Sequence, residues 1–136
     1  DPAEVIASYA AKRDKVTAAD VGFEAQLEIF RHVEKCAGKI PVVLDARDVL
    51  KHPDNMLQKL CAAVGVEFDE DMLSWPAGRR DSDGIWGVHW YGAVENSTGF
   101  APYKPSDPGL DSDQSELAAK CRPFYDELYH HRIQPS

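Results

Sequence analysis

Two adjacent arginines stand out in an otherwise acidic sequence, in the stretch Gly78-Arg79-Arg80-Asp81-Ser82-Asp83-Gly84-Ile85-Trp86. A guanidinium is a planar fork of N–H donors that can grip a phosphate or carboxylate with two bonds at once. Glycines on either side let the backbone come close to such an anion. The same stretch also reads as a solvated arginine pair balanced by Asp81 and Asp83, and at this point both readings stand. Far upstream lies Asp1-Pro2-Ala3-Glu4-Val5-Ile6-Ala7-Ser8-Tyr9. Asp1 suits a helix N-cap and Pro2 the first helical position. Ser8 then sits two turns in, on the face that carries Glu4 and Ala11. Its hydroxyl is either a ligand donor or an incidental serine.

The aromatic group Trp86, Trp90, Tyr91, Phe100 and Tyr103 lines a ligand pocket or fills a core. His89, set among these rings, is a ligand contact, an acid/base or a hydrogen-bonded structural residue. His130 and His131, being adjacent, do not share a helix face and read as solvated. Asp111-x-Asp113 lacks the remaining ligands of a calcium loop, and Asn96-Ser97-Thr98 reads as a coincidental glycosylation sequon. Cys36, Cys61 and Cys121 form no CxxC pair, so neither zinc nor thioredoxin-like chemistry is supported, and no metal site is expected. All three thiols are expected to be small structural residues on helices.

The elements that must position these groups are bounded by composition. The chain has 136 residues, 15 Lys and Arg against 23 Asp and Glu, a net charge of -8, 43% hydrophobic and 28% charged residues. This excludes a disordered, collagen-like or disulfide-scaffold chain and suits a modest core. The acidic balance argues against nucleic acid as a partner. No apolar run approaches a membrane span. An odd cysteine count, with no charged-then-apolar leader in these residues, sets the expectation of reduced thiols and a cytoplasmic location.

Ala3 to Arg13 reads as a helix from the spacing of Val5, Ile6, Tyr9 and Ala10. Thr17 and Asp20 are helix-start signals. Phe23, Leu27, Phe30 and Val33, flanked by Ile29, form an amphipathic stripe that stops near Gly38. Pro41-Val42-Val43-Leu44-Asp45-Ala46 reads as a buried parallel strand because its apolar run is continuous. Asp54 or Asn55 starts a further helix after Pro53, closed by Gly65. Trp75 to Tyr103 has no clean period and reads as a structured functional loop. Residues 104–114 form a linker, and Ser115 with Glu116 opens a last helix that Pro123 should kink or split. A single parallel strand cannot make a sheet. The remaining strands are therefore expected upstream of Asp1 or from another chain, and the segment is not expected to fold on its own.

The first motif resembles the segment Arg-Asn/Asp-Pro-x-Asp/Glu-x-x-x-Ser of PAPS-dependent sulfotransferases, with Asp1, Pro2, Glu4 and Ser8 in register. PAPS is 3'-phosphoadenosine 5'-phosphosulfate. The second resembles that family's Arg-Lys-Gly-x-x-Gly-x-Trp segment, which closes over the donor's 3'-phosphate; Arg79, Arg80, Gly84 and Trp86 match. Between them, residues 44–53 resemble its strand-then-helix segment. His89-Trp90-Tyr91 and Ser97-Thr98-Gly99-Phe100 resemble a sulfotransferase-like subgroup that is sometimes fused to an aminotransferase. There are departures. Asp81 stands where the family has a glycine, Ala46 where it has an adenine-contacting tyrosine, and the family's arginine before Asp1 lies outside these residues.

The resemblance implies the C-terminal part of a three-layer α/β domain of the P-loop NTPase type, mostly helical, with one clear buried strand in this segment. Residues 1–103 would form the clamp and acceptor wall, and 104–136 a linker and terminal helix. It implies a nucleotide-binding transferase that uses PAPS. Ser8, Arg79, Arg80 and Gly84 would hold the 3'-phosphate, and Trp86, His89, Trp90 and Tyr91 would line the acceptor pocket. The main catalytic groups would lie upstream of Asp1, so the segment alone would be inactive. Its partners would be a small-molecule acceptor and the missing N-terminal half of the domain, with oligomerisation left open. A kinase-like P-loop phosphotransferase and a non-catalytic interaction module built on the same fold are the alternatives.

Overall fold

The computed structural model describes residues 1–80, 82, 84–85, 92–105 and 107–136. In chain order its helices are α1 (Pro2–Ala10), α2 (Ala18–Val21), α3 (Phe23–Ala37), α4 (Ala46–Lys51), α5 (Pro53–Val64), α6 (Gly92–Glu95) and α7 (Ser112–His130), with a 3-10 turn at Glu70–Met72. They divide into two compact units. One comprises Asp1–Leu44 with Pro105–Arg132, the other Asp45–Lys104 with Ile133–Ser136.

In the first unit, α1 begins as the sequence dictates. The Asp1 carboxylate accepts from the Ala3 N–H at 3.0 Å, and Pro2 takes the first helical position. Pro2 and Ile6 point into the core, and Ile6 is fully buried. The helix stops at Ala10, short of Arg13. Thr17 and Asp20 form a reciprocal capping box on α2. Gly22, at φ +66°, ends α2 and starts α3, a left-handed turn that a side chain would strain.

Along α3 the buried stripe is Phe23, Leu27 and Phe30, narrower than the sequence suggests, since Val33 and Ile29 are exposed. α7 starts at Ser112, ahead of Ser115, because Asp111 and Gln114 make a second capping box. The helix is not split by Pro123. Both Pro123 and Ala119, whose carbonyl loses its donor, are exposed, so water can replace the lost bond. Ile6, Val21, Phe23, Ala118 and Cys121 form the core, with Phe23 edge-on to Tyr125 at 6.2 Å. A bidentate Arg31–Glu127 pair joins α3 to α7 at 2.8 Å.

The buried strand expected at residues 41–46 does not form. Among the described residues there is no strand. Val43 makes one isolated parallel bridge to Arg132, and Val42 is 42% exposed. A parallel strand needs a ladder along its length. One bridge does not make a ladder, and Pro41 brings no N–H to extend it. The chain instead turns into α4, which the sequence reading merged into the strand-then-helix segment. Asp45 is buried and caps α4 by accepting from the Arg47 N–H at 2.9 Å.

In the second unit, α4 and α5 pack as a pair around the His52 turn. Pro53 itself is the first residue of α5, one ahead of the predicted start, and Gly65 closes the helix at φ +75°. Met56 and Cys61 are its buried residues. The C-terminal tail returns to α5, where Lys59 donates to the Gln134 carbonyl at 2.7 Å and the Ser136 N–H donates to Asn55 at 3.1 Å. Among the described residues, no helix is long and apolar enough to cross a membrane.

Candidate functional site

Ser8 belongs to the first unit. Pro2 and Ile6 share the inward face of α1, while Ser8 stands about 200° around the helix from Ile6. Its side chain is accordingly exposed. The neighbouring acid at the helix start is occupied. The Asp1 carboxylate takes the Ala3 N–H and also the Arg122 guanidinium, at 2.8 Å. That ion pair is half-shielded, since Arg122 is 41% exposed and Asp1 11%.

Arg79, Arg80 and Gly84 belong to the second unit, and all three are exposed. The arginines leave a backbone that is tied down just before them. Ser74 and Gly99 form an antiparallel bridge, and the Trp75 N–H donates to the Thr98 carbonyl at 3.1 Å. The Gly78 N–H donates to the Glu95 carbonyl at 2.7 Å. Gly78 has φ +121° and Gly84 φ +67°, so each holds a turn that suits glycine. Side chains reinforce the pairing. The Trp75 indole N–H donates to the Ser97 hydroxyl at 2.9 Å, and that hydroxyl donates to the Val94 carbonyl at 2.7 Å. Phe100 meets the Trp75 ring edge-on at 5.4 Å.

Arg80 lines two open clefts of this unit. One, of about 260 Å³, it shares with Trp75, Gly78, Val94 and Glu95. The other, of about 750 Å³, it shares with Asp71, Ser74, Trp75, Pro76 and Thr98. The arrangement sets a cation beside an aromatic wall, with the Glu95 and Asp71 carboxylates lining the same clefts. Trp86, His89, Trp90 and Tyr91, expected to line the acceptor pocket, lie outside the described residues, as do Asp81 and Asp83. Of the other aromatics, Phe100 packs on Trp75, and Tyr103 lies under two cations, with Lys51 Nζ at 5.0 Å and Arg47 at 5.9 Å from its ring centre.

Sequence reasoning missed Trp75 and the Arg47–Lys51 pair. The signal for the pair was its spacing of four, which puts both on one face of a helix. Trp75 carried no local signal, since its partners lie more than twenty positions away. Among the thiols, Cys61 and Cys121 are buried on helices as expected, whereas Cys36 is exposed. Burial, aided by the nearby Glu24 carboxylate, pushes the Cys121 thiol above its ordinary range. Among the described residues, no group of three or more His, Cys, Asp or Glu could hold a metal ion.

A model of the sulfotransferase domain family matches residues 1–132. Two curated proteins of Arabidopsis thaliana, branched-chain-amino-acid aminotransferase-like proteins 1 and 2, are 33% and 31% identical to the chain over 94 residues. Each match covers 69% of this chain but only 17% of the relative's length. No solved structure matches. The chain belongs to the sulfotransferase domain family.

Proposed function

We propose that this chain works as part of an enzyme that transfers a sulfuryl group from PAPS to a hydroxyl or amine of a small-molecule acceptor, and that its residues hold the donor's 3'-phosphate. The observation that carries this reading is the donor set. An exposed serine stands two turns into a helix capped by Asp1, and an exposed arginine pair follows a backbone pinned at Gly78, in a chain of this family. Those groups suit a phosphate, being one neutral hydroxyl and two permanent cations. The nearby Asp1 carboxylate is already neutralised by Arg122.

In this reading Ser8 donates a hydrogen bond and Arg79 and Arg80 supply charge, while Gly84 leaves the backbone room to turn close to the anion. PAPS, when bound, supplies the activated sulfuryl group. The residues of this chain bind and orient it. The 3'-phosphate is remote from the sulfur that moves, so its contacts act as uniform binding, which sets KM more than kcat. The phosphosulfate loop and the principal catalytic groups are assigned to the rest of the domain. Both relatives are named for likeness to an aminotransferase. With matches that span 17% of each, no aminotransferase step is assigned to this chain.

The test is calorimetric titration of 3'-phosphoadenosine 5'-phosphate into the full-length protein and its variants. A charged hydrogen bond is worth roughly 1.5 to 3 kcal/mol, so Arg80→Ala should weaken binding about 10- to 150-fold. Arg80→Lys should recover part of the loss, because a point charge cannot reproduce the fork. Equal affinity for wild type and Arg80→Ala overturns the phosphate role. Tight binding of ATP with none of the 3'-phosphorylated nucleotide would establish the kinase-like alternative. Binding of neither would establish the interaction module.

A further inference from the structure

The two arms that carry the arginine loop, residues 73–78 and 94–100, approach so closely that a Cβ built on Gly99 would lie 3.1 Å from the Leu73 carbonyl oxygen. Backbone bonds hold the arms at two points: Trp75 to Thr98, at the Ser74–Gly99 bridge, and Gly78 to Glu95. Trp75 and Ser97 add a side-chain relay, in which the indole N–H, the serine hydroxyl and the Val94 carbonyl are joined at 2.9 and 2.7 Å. A half-buried indole N–H needs a partner. This one finds it on the opposite arm. The serine's single proton goes to Val94, so both groups have a fixed direction.

We propose that Trp75 and Ser97 are positioning residues that latch the two arms together and so preset where the Arg80 guanidinium stands. The inference rests on the phosphate role given to Arg80 above. Arg80 follows two residues after the Gly78 amide, which is pinned on Glu95, and it shares both of its clefts with Trp75. An unlatched arm spreads Arg80 over more positions. Only a fraction of them then suit binding, and the apparent affinity falls by that fraction.

The experiment uses the full-length protein with Trp75→Phe, Ser97→Ala and Ser97→Thr. Trp75→Phe keeps a ring against Phe100 but removes the indole N–H with its five-membered ring, whereas Ser97→Ala removes the acceptor and leaves the indole whole. Three readouts are taken: affinity for 3'-phosphoadenosine 5'-phosphate across a salt series, exchange of the Gly78 amide, and the Arg80 Nε–H resonance. Trp75→Phe and Ser97→Ala should each weaken the nucleotide about 3- to 10-fold, the worth of one neutral hydrogen bond. The salt sensitivity of binding should match wild type because both arginines remain, whereas Arg80→Ala should flatten it.

Gly78 exchange should quicken by a similar factor, the Arg80 resonance should shift, and Ser97→Thr should restore both. Wild-type affinity in the two latch variants overturns the proposal, and so do an unchanged Gly78 exchange rate and Arg80 resonance. If wild type binds no 3'-phosphorylated nucleotide, the phosphate reading fails instead. The exchange rate and the resonance then decide the latch by themselves, a change supporting it and no change overturning it.

Discussion

In the unit built from Asp1–Leu44 and Pro105–Arg132, order comes from apolar burial. Ile6, Val21, Phe23 and Cys121 interlock between α1, α2, α3 and α7, and Ser8 rides on the outer face of a helix whose inner face is fixed. In the unit built from Asp45–Lys104 and Ile133–Ser136, the residues just before the arginine pair are tied by directed contacts: two backbone bonds, one indole-to-serine bond and one ring edge. Close packing resists displacement in every direction, because any movement opens a void or a clash. A hydrogen bond is worth only about 1 kcal/mol net, so a backbone held by a few of them is held less firmly than a packed core. Ser8 therefore stands on a helix fixed by burial, and Arg80 follows a backbone fixed by a few directed bonds.

The sharpest way to break this contrast is at Ile6. The side chain is fully buried, so Ile6→Ala should destabilise the protein by about 2 to 5 kcal/mol, through lost transfer energy and the cavity left behind. Ser8→Ala, two residues on and exposed, should stay within about 0.5 kcal/mol of wild type. Urea denaturation followed by circular dichroism measures both. A cost below about 1 kcal/mol for Ile6→Ala would mean that apolar packing is not what orders this unit.

A smaller effect is expected at Gly99. Its φ is ordinary, so the cost of Gly99→Ala comes from space alone. The added methyl meets the Leu73 carbonyl, a backbone atom that cannot swing aside. Overpacking of this kind costs about 1 to 3 kcal/mol. The loss should be local, with faster amide exchange at Trp75 and Gly78 and unchanged exchange along α7. Uniformly faster exchange in both units would show that the arms are part of the global fold rather than a separately adjustable device.

How far the sequence carried this picture depended on how local each determinant was. Helix ends governed by one or two neighbours were legible, as with Asp1 and Pro2 at α1, the Thr17–Asp20 box, and the left-handed glycines at positions 38 and 65 that close α3 and α5. That no strand forms at residues 41–46 was not legible, because strand formation depends on ladder partners distant in sequence, which an apolar run does not specify. The start of α7 was misplaced because Ser115 and Glu116 imitate a cap, while the Asp111–Gln114 pair makes both reciprocal bonds. The arginine pair was conspicuous by charge. Its supports were invisible, since Trp75 and Ser97 meet only after the chain has gone out and back.

The smallest effect concerns two thiols, which test the contrast from inside the first unit. Cys121 is 3% exposed in the apolar core of the first unit. Burial, and then the Glu24 carboxylate, disfavour its thiolate and raise its pKa in the folded state. The folded protein therefore keeps a proton that the unfolded chain gives up. This contribution to stability is fully present below the unfolded thiol's pKa and is lost as pH rises from there through the folded value. Wild type should accordingly lose more stability than Cys121→Ala between neutral and alkaline pH. Subtracting the two profiles removes the lysines and tyrosines that titrate in the same range. Cys36, exposed on α3, should react first with a disulfide reagent, and Cys121 only as fast as the unit opens. Parallel pH profiles for wild type and Cys121→Ala, or a Cys121 that reacts as fast as Cys36, would mean that the core is looser than its burial indicates. The difference in kind between the two units would then disappear.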